Sequence, residues 1–584
     1  MKEQILQENK KRILIWLGII VFWGLYYWVV IQSSYTADDR LNATVAGVNY
    51  MNDSVWALTG RQFGEWIRAG RFFPFANYTY LLFAYIPSRA CYKALLIGSL
   101  FLGSLLLAQV VIKVSGSREF GDILMMVIPL CMQLTGEFGS ALYCYQMLVQ
   151  LTWIWICLSL LSALKVADID RQEEVDRKKR IGYKVVGGLT LILALGTYEV
   201  AFVLAVFAFV VVWAYTGNIK HTLRTLIPQF IGFSMILMVN IGLRLGVRGI
   251  GYTGITIHFS IHDVVVTFLK QLWSTIPLAR FCSRTLLYGV PYGKWDLLRH
   301  LKWTDILLIG IMVSLLLYMN NRLFAQAQKV KKKQWILIIG LLIMLLPPIL
   351  IAISAKYQTV LDWGIGHITT LIQSLGLAVT ILAGILLATK NKPRIGHGII
   401  VGLIILNIPI VLMQEMEART SVDIENLYYR YPYENIQNAG NMGIFDGVDQ
   451  QEPVVLMSDY YFDREAVDTF YALAAKKKLN ILNQQTAEAK RPDIAWYVWS
   501  YADQTNGCVV MGQDGQLDGE QKVQKIYLYI NDGDVDNVAY IKEGEWQTLD
   551  LTTQKKVKEA EEGVIYELML ADIDMTTVKI LKTE

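Results

Sequence analysis

The feature that most constrains this chain is a series of apolar stretches, many of them about 20 residues long. A helix of that length crosses the hydrocarbon core of a bilayer, and it satisfies its own backbone hydrogen bonds there. The chain is therefore predicted to be an α-helical polytopic membrane protein with about 11 transmembrane helices. The stretches are 13–32, 91–112, 120–136, 141–164, 185–197, 199–216, 226–245, 303–320, 334–353, 368–389 and 398–416.

The charged residues divide the chain into two chemically different parts. Residues 417–584 contain 16 basic and 30 acidic residues, whereas the first 416 residues contain 38 basic and 20 acidic residues. This contrast predicts a transmembrane domain over 1–416 and an extracytoplasmic soluble domain over 417–584. The polar tail has no basic stripe with interleaved aromatic residues, which argues against nucleic acid as a partner.

The basic clusters also predict how the chain is oriented in the membrane. They fall on alternate loops, and Lys and Arg concentrate in the loops on the cytoplasmic side. With an odd number of spans, the N-terminus is expected to be cytoplasmic and the C-terminal domain extracytoplasmic. The segments 33–90 and 246–302 and the loop 354–367 then lie on the outer face.

Three regions outside the spans have folding patterns of their own. Apolar residues recur at three- to four-residue spacing between Leu41 and Ile67, which predicts amphipathic helices in the membrane interface that end near Pro74. Segment 263–291 has a similar pattern. In the tail, a helix-like stretch at 464–478 lies among strand-like runs, which predicts a mixed α/β domain. Those runs are 454–457, 494–499, 525–530 and 564–570.

Two adjacent carboxylates, Asp38 and Asp39, follow the first apolar stretch by a few residues. A membrane enzyme that moves a sugar from a lipid phosphate needs a base for the acceptor hydroxyl, and an Asp at headgroup depth is in reach. Adjacent acids after a span are also common as simple solvated loop residues. Both residues are therefore candidates for catalysis.

Basic residues persist on the predicted outer face, where they are normally scarce. Arg binds phosphate through two hydrogen bonds, and a cation stabilises the charge on a departing lipid phosphate. Attraction to anionic headgroups, or ordinary salt bridges, would also explain these residues. The candidates for binding a donor phosphate are Arg61, Arg71, Arg244, Arg280, Arg284 and Lys356.

Polar residues at the edges of apolar stretches form a third set. Glu137 lies between two stretches, and Glu199 follows Tyr198 in a short turn between two others. Carboxylates at membrane depth are costly and indicate function, so these residues suit an acceptor hydroxyl or a divalent metal, or else cap a helix. The loop that carries Tyr357 and Lys356 is either a proline kink with an aromatic belt, or it points these two side chains into an outer cavity, where Tyr357 would bind the acceptor or a metal.

The arrangement of these residues resembles the bacterial multi-pass glycosyltransferases of the C-type superfamily, in particular the O-antigen and surface-polysaccharide glucosyltransferases that use polyprenyl-phosphate sugars. The resemblance covers the first 416 residues, leaving the tail unexplained. It rests on a many-span core and on four short motifs, which are Asp38-Asp39, Gly60-Arg61, Gly70-Arg71 and the loop 354–358.

The resemblance implies a hexosyltransferase that moves a sugar, with inversion, from a polyprenyl-phosphate donor to a cell-surface glycan or lipid acceptor. It implies that Asp38 or Asp39 is the base, and that outer Arg and Lys residues bind the phosphate. Some enzymes of this superfamily need a divalent metal such as Mg or Mn and others do not, so the metal requirement stays open.

Other functional classes fit parts of the sequence. A polysaccharide polymerase or ligase also keeps basic residues in a large outer loop, and the choice between a lipid monophosphate and a lipid diphosphate donor would separate the two. A flippase of lipid-linked sugars predicts internal repeats and charges deep in several spans, whereas these charges cluster at the predicted outer rim. A non-enzymatic assembly protein would act through its acidic tail.

Overall fold

The chain divides into two compact units in a computed structural model. The helical unit comprises Met1–Gln32, Thr59–Thr79 and Ser88–Val422, and the mixed unit comprises Ser33–Leu58, Tyr80–Pro87 and Asp423–Glu584. The division thus falls after Val422, where the sequence placed a boundary after Met416. The structure describes residues 2–86, 88–134, 140–174, 176–246, 256–283, 286–287, 290–291, 301–326, 330–389, 392–456, 464–483, 495–500, 508–513, 517–518, 521–531 and 535–581.

Helices make up most of the described chain up to residue 441. They include α1 (Lys2–Tyr26), α2 (Trp28–Gln32), α3 (Asp38–Asn42), a 3-10 helix (Val45–Tyr50), α4 (Val55–Arg68), α5 (Tyr78–Tyr85), α6 (Arg89–Ser115), α7 (Arg118–Leu130), α8 (Leu148–Ile169), α9 (Arg177–Leu195), α10 (Val200–Thr216), α11 (Ile219–Thr225), α12 (Ile227–Gly246), α13 (Ile261–Trp273) and α14 (Ala279–Ser283). A short hairpin of β1 (Leu286–Leu287) and β2 (Val290–Pro291) follows α14. The later helices are α15 (Trp303–Gln326), α16 (Lys333–Leu345), α17 (Pro347–Ala352), α18 (Ala355–Val360), α19 (Thr370–Ala388), α20 (Pro393–Glu425), a π-helical turn (Asn426–Arg430) and α21 (Tyr431–Asn441).

Seven helices among the described residues are long and apolar enough to cross a membrane. The four other predicted stretches also overlap helices, on α1 with α2, α7, α9 and α10. Helix α7 has only 13 residues and α10 has 17, and α9 begins with four consecutive basic residues. The seven are Arg89–Ser115, Leu148–Ile169, Ile227–Gly246, Trp303–Arg322, Lys333–Ala352, Thr370–Ala388 and Arg394–Asn441.

The mixed unit contains a mixed β-sheet, as the tail pattern predicted. Its strands lie in the order β11-β12-β8-β6-β5-β3-β4, and β7 also pairs with β8. Strand β3 is parallel to β4 and β5, because a helix, α22 (Arg464–Ala475), connects β3 to β4, and parallel neighbours need such a crossover. The strands are β3 (Pro453–Leu456), β4 (Asn480–Asn483), β5 (Trp496–Ser500), β6 (Cys508–Gln513), β7 (Leu517–Asp518), β8 (Gln521–Ile530), β9 (Asn537–Lys542), β10 (Glu545–Asp550), β11 (Lys555–Ala560), β12 (Gly563–Ala571) and β13 (Ile573–Leu581).

The core of the mixed unit lies where α22 packs on this sheet. Phe470 and Val467 of α22 are buried together with Val454 of β3, Val498 of β5 and Val509 of β6. A separate three-stranded antiparallel sheet has the order β10-β9-β13. The fold class predicted from the sequence is confirmed, since the chain combines many apolar helices with a C-terminal domain rich in strands.

Helices α16 and α19 of the helical unit approach each other at two glycines. A Cβ atom on Gly376 would lie 2.5 Å from the backbone nitrogen of Met344, and one on Gly340 would lie 2.7 Å from the backbone nitrogen of Thr380. Lipid tails are as apolar as the side chains of a membrane helix, so the hydrophobic effect does not hold two such helices together. The helices associate instead through close packing, which small residues such as glycine allow.

We therefore expect Gly376→Ala to destabilise the protein by about 1–3 kcal/mol, the usual cost of forcing extra atoms into a packed contact. The matched control is Gly384→Ala on the same helix, where no atom lies within 4 Å of the added Cβ. Thermal unfolding followed in detergent checks this. Equal midpoints for the two variants would contradict the close contact.

Candidate functional site

The two candidate carboxylates face different environments at the start of α3. The Asp38 side chain is exposed, whereas Asp39 is fully buried. Ala37, which precedes them, has a φ of 46° and a ψ of −131°. Residues with a Cβ rarely adopt such a backbone, and its strain persists only where the surrounding structure imposes it. The turn at Ala37 therefore holds the two carboxylates in one defined orientation.

An ion pair between Arg71, which is buried, and Glu199, whose side chain is 23% exposed, lies in the helical unit. Gly70, with a φ of 79°, ends the turn after α4, so that the next residue leaves the helix direction. The Arg71 guanidinium carbon then lies 4.1 Å from the centre of the Trp66 ring, and Arg71 is 7% exposed. Glu199 immediately precedes α10. Pairing and stacking fix the position of this Arg.

Tyr198 is within electrostatic range of both members of this ion pair and of Tyr357 and Tyr145. Burial raises the pKa of the Tyr198 hydroxyl well above its ordinary value, and the neighbouring Tyr357 and Glu199 raise it further. The Tyr198 hydroxyl therefore stays protonated and can donate a hydrogen bond. The sequence singled out Tyr198, Glu199 and Tyr357 separately, and the structure brings them together.

His367 completes the same group of side chains. Its ring centre lies 4.2 Å from that of Tyr357 and 6.2 Å from that of Tyr145. The Lys356 ammonium lies 5.8 Å from the centre of the Tyr357 ring. Burial lowers the pKa of His367 to about 3, and the Lys356 cation also lowers it. The imidazole is therefore neutral near pH 7.

We call this group the tyrosine cluster. It consists of Tyr145, Tyr198, Tyr357, His367, Lys356, Arg71 and Glu199, all in the helical unit. Arg71 and Lys356 are its cations, Glu199 is its anion, and His367 is neutral. Phenol groups beside these cations suit an anionic ligand with several oxygen atoms.

A buried glutamine holds the loop that carries His367. The Gln271 amide oxygen accepts a hydrogen bond from the His367 backbone nitrogen at 2.9 Å, and its amide nitrogen donates to the His367 carbonyl at 3.1 Å. The same amide nitrogen also reaches Thr369 and Gln373. Gln271 and Gln373 have no exposed surface. This network links α13 to the start of α19 and fixes the loop between α18 and α19.

Tyr145 reaches the cluster from a turn that the sequence placed inside a helix. The predicted stretch 141–164 becomes helical only at Leu148, and Tyr145, Gln146 and Met147 have φ values of 69°, 52° and 60°. The Tyr143 backbone carbonyl accepts a hydrogen bond from the buried Lys93 ammonium, and its hydroxyl donates to the Leu134 carbonyl at 2.5 Å. These two hydrogen bonds hold the turn in place, although an apolar run of this kind favours a helix.

Arg280 does not join the tyrosine cluster as a phosphate ligand. Its guanidinium lies 2.8 Å from the Glu417 carboxylate, and both side chains are 1% exposed. A charge in an apolar helical interior needs a partner of opposite sign, and Glu417 supplies it. The Arg280 backbone nitrogen also donates to the Gln133 amide oxygen at 3.1 Å.

The remaining candidates lie elsewhere. Arg61 is exposed on α4, and Arg244 is exposed in the last turn of α12. Arg284 and Glu137 lie outside the described residues. Among the residues that the structure describes, no group of three or more His, Cys, Asp and Glu side chains is arranged to hold a metal ion.

Sequence reasoning did not assign site roles to His367, Tyr145 and Glu417. His367 lies ten residues after Tyr357 in the same predicted outer loop, so its proximity was open to inference. Tyr145 and Glu417 gave no such signal, because each lay within or beside an apolar run that reads as a helix.

An apolar cavity of about 230 Å³ opens among the membrane helices of the helical unit. It runs along α7, α15, α19 and α20, and its few polar side chains include Asn320 and Asn407. Its apolar lining suits a hydrocarbon chain. Aliphatic residues that line it include Ile123, Val127, Leu130, Leu316, Leu377, Ile381, Ile385, Ile400, Ile404 and Ile410.

No protein-family model and no curated protein matches the sequence. Among solved structures, the chain is similar to the crystal structure of ArnT from Cupriavidus metallidurans in the apo state. The two share 12% sequence identity with a TM-score of 0.38, over 84% of this chain and 93% of that chain.

The depressed pKa of His367 makes stability depend on pH. Unfolded His has a pKa near 6.5, so between about pH 6.5 and 3 the unfolded chain binds the extra proton. This contribution to stability is complete above pH 6.5 and is lost as the pH falls. We expect His367→Phe, which keeps a ring against Tyr357, to flatten the fall in thermal midpoint between pH 7.5 and 5.

In the wild type, this one group changes the free energy of unfolding by up to about 1.4 kcal/mol per pH unit. His262→Phe is the matched control, because it removes an exposed imidazole. A His367→Phe slope that equals the wild-type slope would show that His367 is not held neutral in the fold.

Proposed function

We propose that this protein is an integral-membrane glycosyltransferase. It takes a hexose from a polyprenyl-phosphate donor and transfers it, with inversion, to a cell-surface glycan or lipid on the outer face of the membrane. The observation that carries the proposal is the strained turn at Ala37, which presents the exposed Asp38 six residues after α2 ends and keeps Asp39 buried.

Asp38 is the general base in this proposal. A base must come within hydrogen-bond distance of the proton that it removes, which favours the exposed carboxylate over the buried one. The acceptor hydroxyl oxygen attacks the anomeric carbon, and its proton passes to Asp38. The bond between the anomeric carbon and the phosphate oxygen breaks, and polyprenyl phosphate leaves with that electron pair. Direct displacement of this kind inverts the anomeric centre.

We assign the donor phosphate to the tyrosine cluster of the helical unit. A sugar joined to a lipid through one phosphate is a phosphodiester with a single negative charge, which suits cations and neutral hydrogen-bond donors. Lys356 and Arg71 supply cations, and the protonated Tyr198 hydroxyl supplies a neutral donor. Groups that are fixed before the reaction stabilise developing charge without reorganising. Glu199 acts through Arg71, which it orients.

The apolar cavity along α7, α15, α19 and α20 supports a lipid-linked substrate. A hydrocarbon chain that leaves water gains about 25 cal/mol for each Å² of apolar surface that it buries. A lipid tail that enters the cavity from the bilayer leaves a medium that is already apolar, so it gains only from close packing against the cavity walls. A polyprenyl chain is the occupant that fits the proposed donor.

We expect Asp38→Asn to lower transfer from a polyprenyl-phosphate sugar by about a hundredfold or more, as the loss of a general base does. The assay uses labelled donor and membranes that contain the intact protein at equal folded amounts. Asp53→Asn, a second carboxylate of the mixed unit, is the control and should retain wild-type activity.

The same assay discriminates among the alternatives. Full activity in Asp38→Asn would remove the assigned base but keep the class of enzyme. Transfer only from a lipid diphosphate donor would favour a polymerase or ligase, and movement of lipid-linked sugar across the membrane without transfer would favour a flippase.

A second prediction concerns Arg71. We expect Arg71→Gln to raise the donor KM by about 10- to 100-fold, since a hydrogen bond to a charged group contributes roughly 1.5–3 kcal/mol. Arg68→Gln, an exposed Arg of α4, is the matched control and should keep the wild-type KM.

Removing Arg71 alone leaves the partly buried Glu199 carboxylate without this partner, which destabilises the fold. The double variant Arg71→Gln with Glu199→Gln removes both charges together. A raised donor KM in the double variant supports phosphate binding, whereas a wild-type KM would show that Arg71 serves only the fold.

A further inference from the structure

The segment that carries Asp38 folds as part of the same unit as the acidic tail. Residues 33–58 belong to the mixed unit together with everything after Val422. The sequence treated the first outer segment and the tail as separate elements. Their contacts within the mixed unit show what holds Asp38 in position.

The closest of these contacts joins the 3-10 helix to α22 at backbone level. A Cβ atom on Gly47 would lie 1.8 Å from the carbonyl oxygen of Thr469. Only glycine fits that space, so here glycine is required by the close approach of two backbones. Helix α22 makes a similar approach to α21, where a Cβ on Gly440 would lie 2.2 Å from the Ala474 carbonyl oxygen.

A hydrogen bond continues the connection from α22 to α3. The hydroxyl oxygens of Thr44 and Thr469 are 2.8 Å apart, and Thr44 is 1% exposed. The Thr44 hydroxyl also lies 2.9 Å from the carbonyl oxygen of Leu41 in α3. Helix α3 begins at Asp38 and has only five residues, so a displacement at Thr44 moves the carboxylate as well.

Aromatic contacts fix the other side of the segment. The Arg40 guanidinium carbon lies 3.9 Å from the centre of the Tyr429 ring, a cation–π contact. The Tyr35 ring packs edge-on against Tyr433 at 6.2 Å, and Tyr433 packs on Phe470 of α22 at 4.8 Å. Residues on both sides of Asp38 in the chain therefore contact the C-terminal domain.

We propose that the C-terminal domain positions the catalytic base, with Thr469 and Tyr429 as positioning residues. This inference rests on the proposed function, because it takes Asp38 to be the base. The C-terminal domain is then required for full catalytic activity. Loosening its contact with residues 33–58 lowers kcat and leaves donor binding nearly intact, since the assigned phosphate ligands belong to the helical unit.

Substitution of Gly47 in the full-length protein tests the positioning role. We expect Gly47→Ala to lower kcat by about 10- to 100-fold, because a base displaced by an ångström loses its alignment. The donor KM should change by less than about threefold, because the lipid phosphate meets other residues. Gly447→Ala is the control in the same unit, where no atom lies within 4 Å of the new Cβ.

The Tyr429 contact provides a test by conservative rescue. We expect Tyr429→Leu to lower kcat and Tyr429→Phe to restore it, because Phe keeps the aromatic face that Arg40 stacks on. Tyr428→Leu, the exposed neighbouring residue, is the control. Equal kcat values in the Leu and Phe variants would remove Tyr429 from the set of positioning residues.

A disulfide cross-link tests the docking without relying on a destabilised variant. In a Thr44→Cys, Thr469→Cys protein, we expect the cross-link to form in membranes and the kcat to stay within about twofold of the reduced form, because the bond spans the distance that the two hydroxyls already bridge. Each single Cys variant is the control.

Three outcomes overturn the inference. They are failure of the cross-link to form, loss of activity on cross-linking that reduction restores, and a wild-type kcat in Gly47→Ala. An inactive wild-type protein would instead overturn the proposed function, and cross-linking would still report whether the segment docks on α22.

Discussion

The cost of burying a charge among apolar helices governs the arrangement of the helical unit. Arg280 pairs with Glu417 at 2.8 Å, Arg419 pairs with Asp305 at 2.7 Å, and Arg71 pairs with Glu199. An uncompensated charge that is fully buried, as Arg280 is, would cost several kcal/mol. Pairing with Glu417 withdraws Arg280 from the residues that the sequence offers to a phosphate. The proposed phosphate ligands are the Arg71 and Lys356 cations of the tyrosine cluster.

Much of the fold was predictable because hydrophobic pattern and element type are local properties. Apolar runs predicted the helices, and alternating runs in the tail predicted β3, β5, β8 and β12 with the helix between them. The turn at Tyr145 was not predictable, because its backbone is fixed by distant groups such as Lys93. The same holds for the site. Sequence identified Asp38 and Asp39, but only tertiary packing distinguishes an exposed carboxylate from a buried one.

The mixed unit explains why residues 33–58 cannot be understood alone. Their periodicity predicted amphipathic helices, and α4 and the 3-10 helix are present, but no local pattern shows that Gly47 must meet a carbonyl oxygen more than 400 residues away. Glycine in a helix is otherwise unfavourable by roughly 1 kcal/mol relative to alanine. Long-range contacts of this kind lie outside what a single sequence shows, and they determine where the proposed base lies.

The central claim is that a sugar leaves a lipid monophosphate by direct displacement. The most direct measurement is the anomeric configuration of the product, determined by NMR after transfer from a polyprenyl-monophosphate sugar of known configuration. The account predicts a product of opposite anomeric configuration to the donor. A product of the same configuration would contradict it, because retention requires a covalent intermediate or a second displacement that this mechanism does not contain.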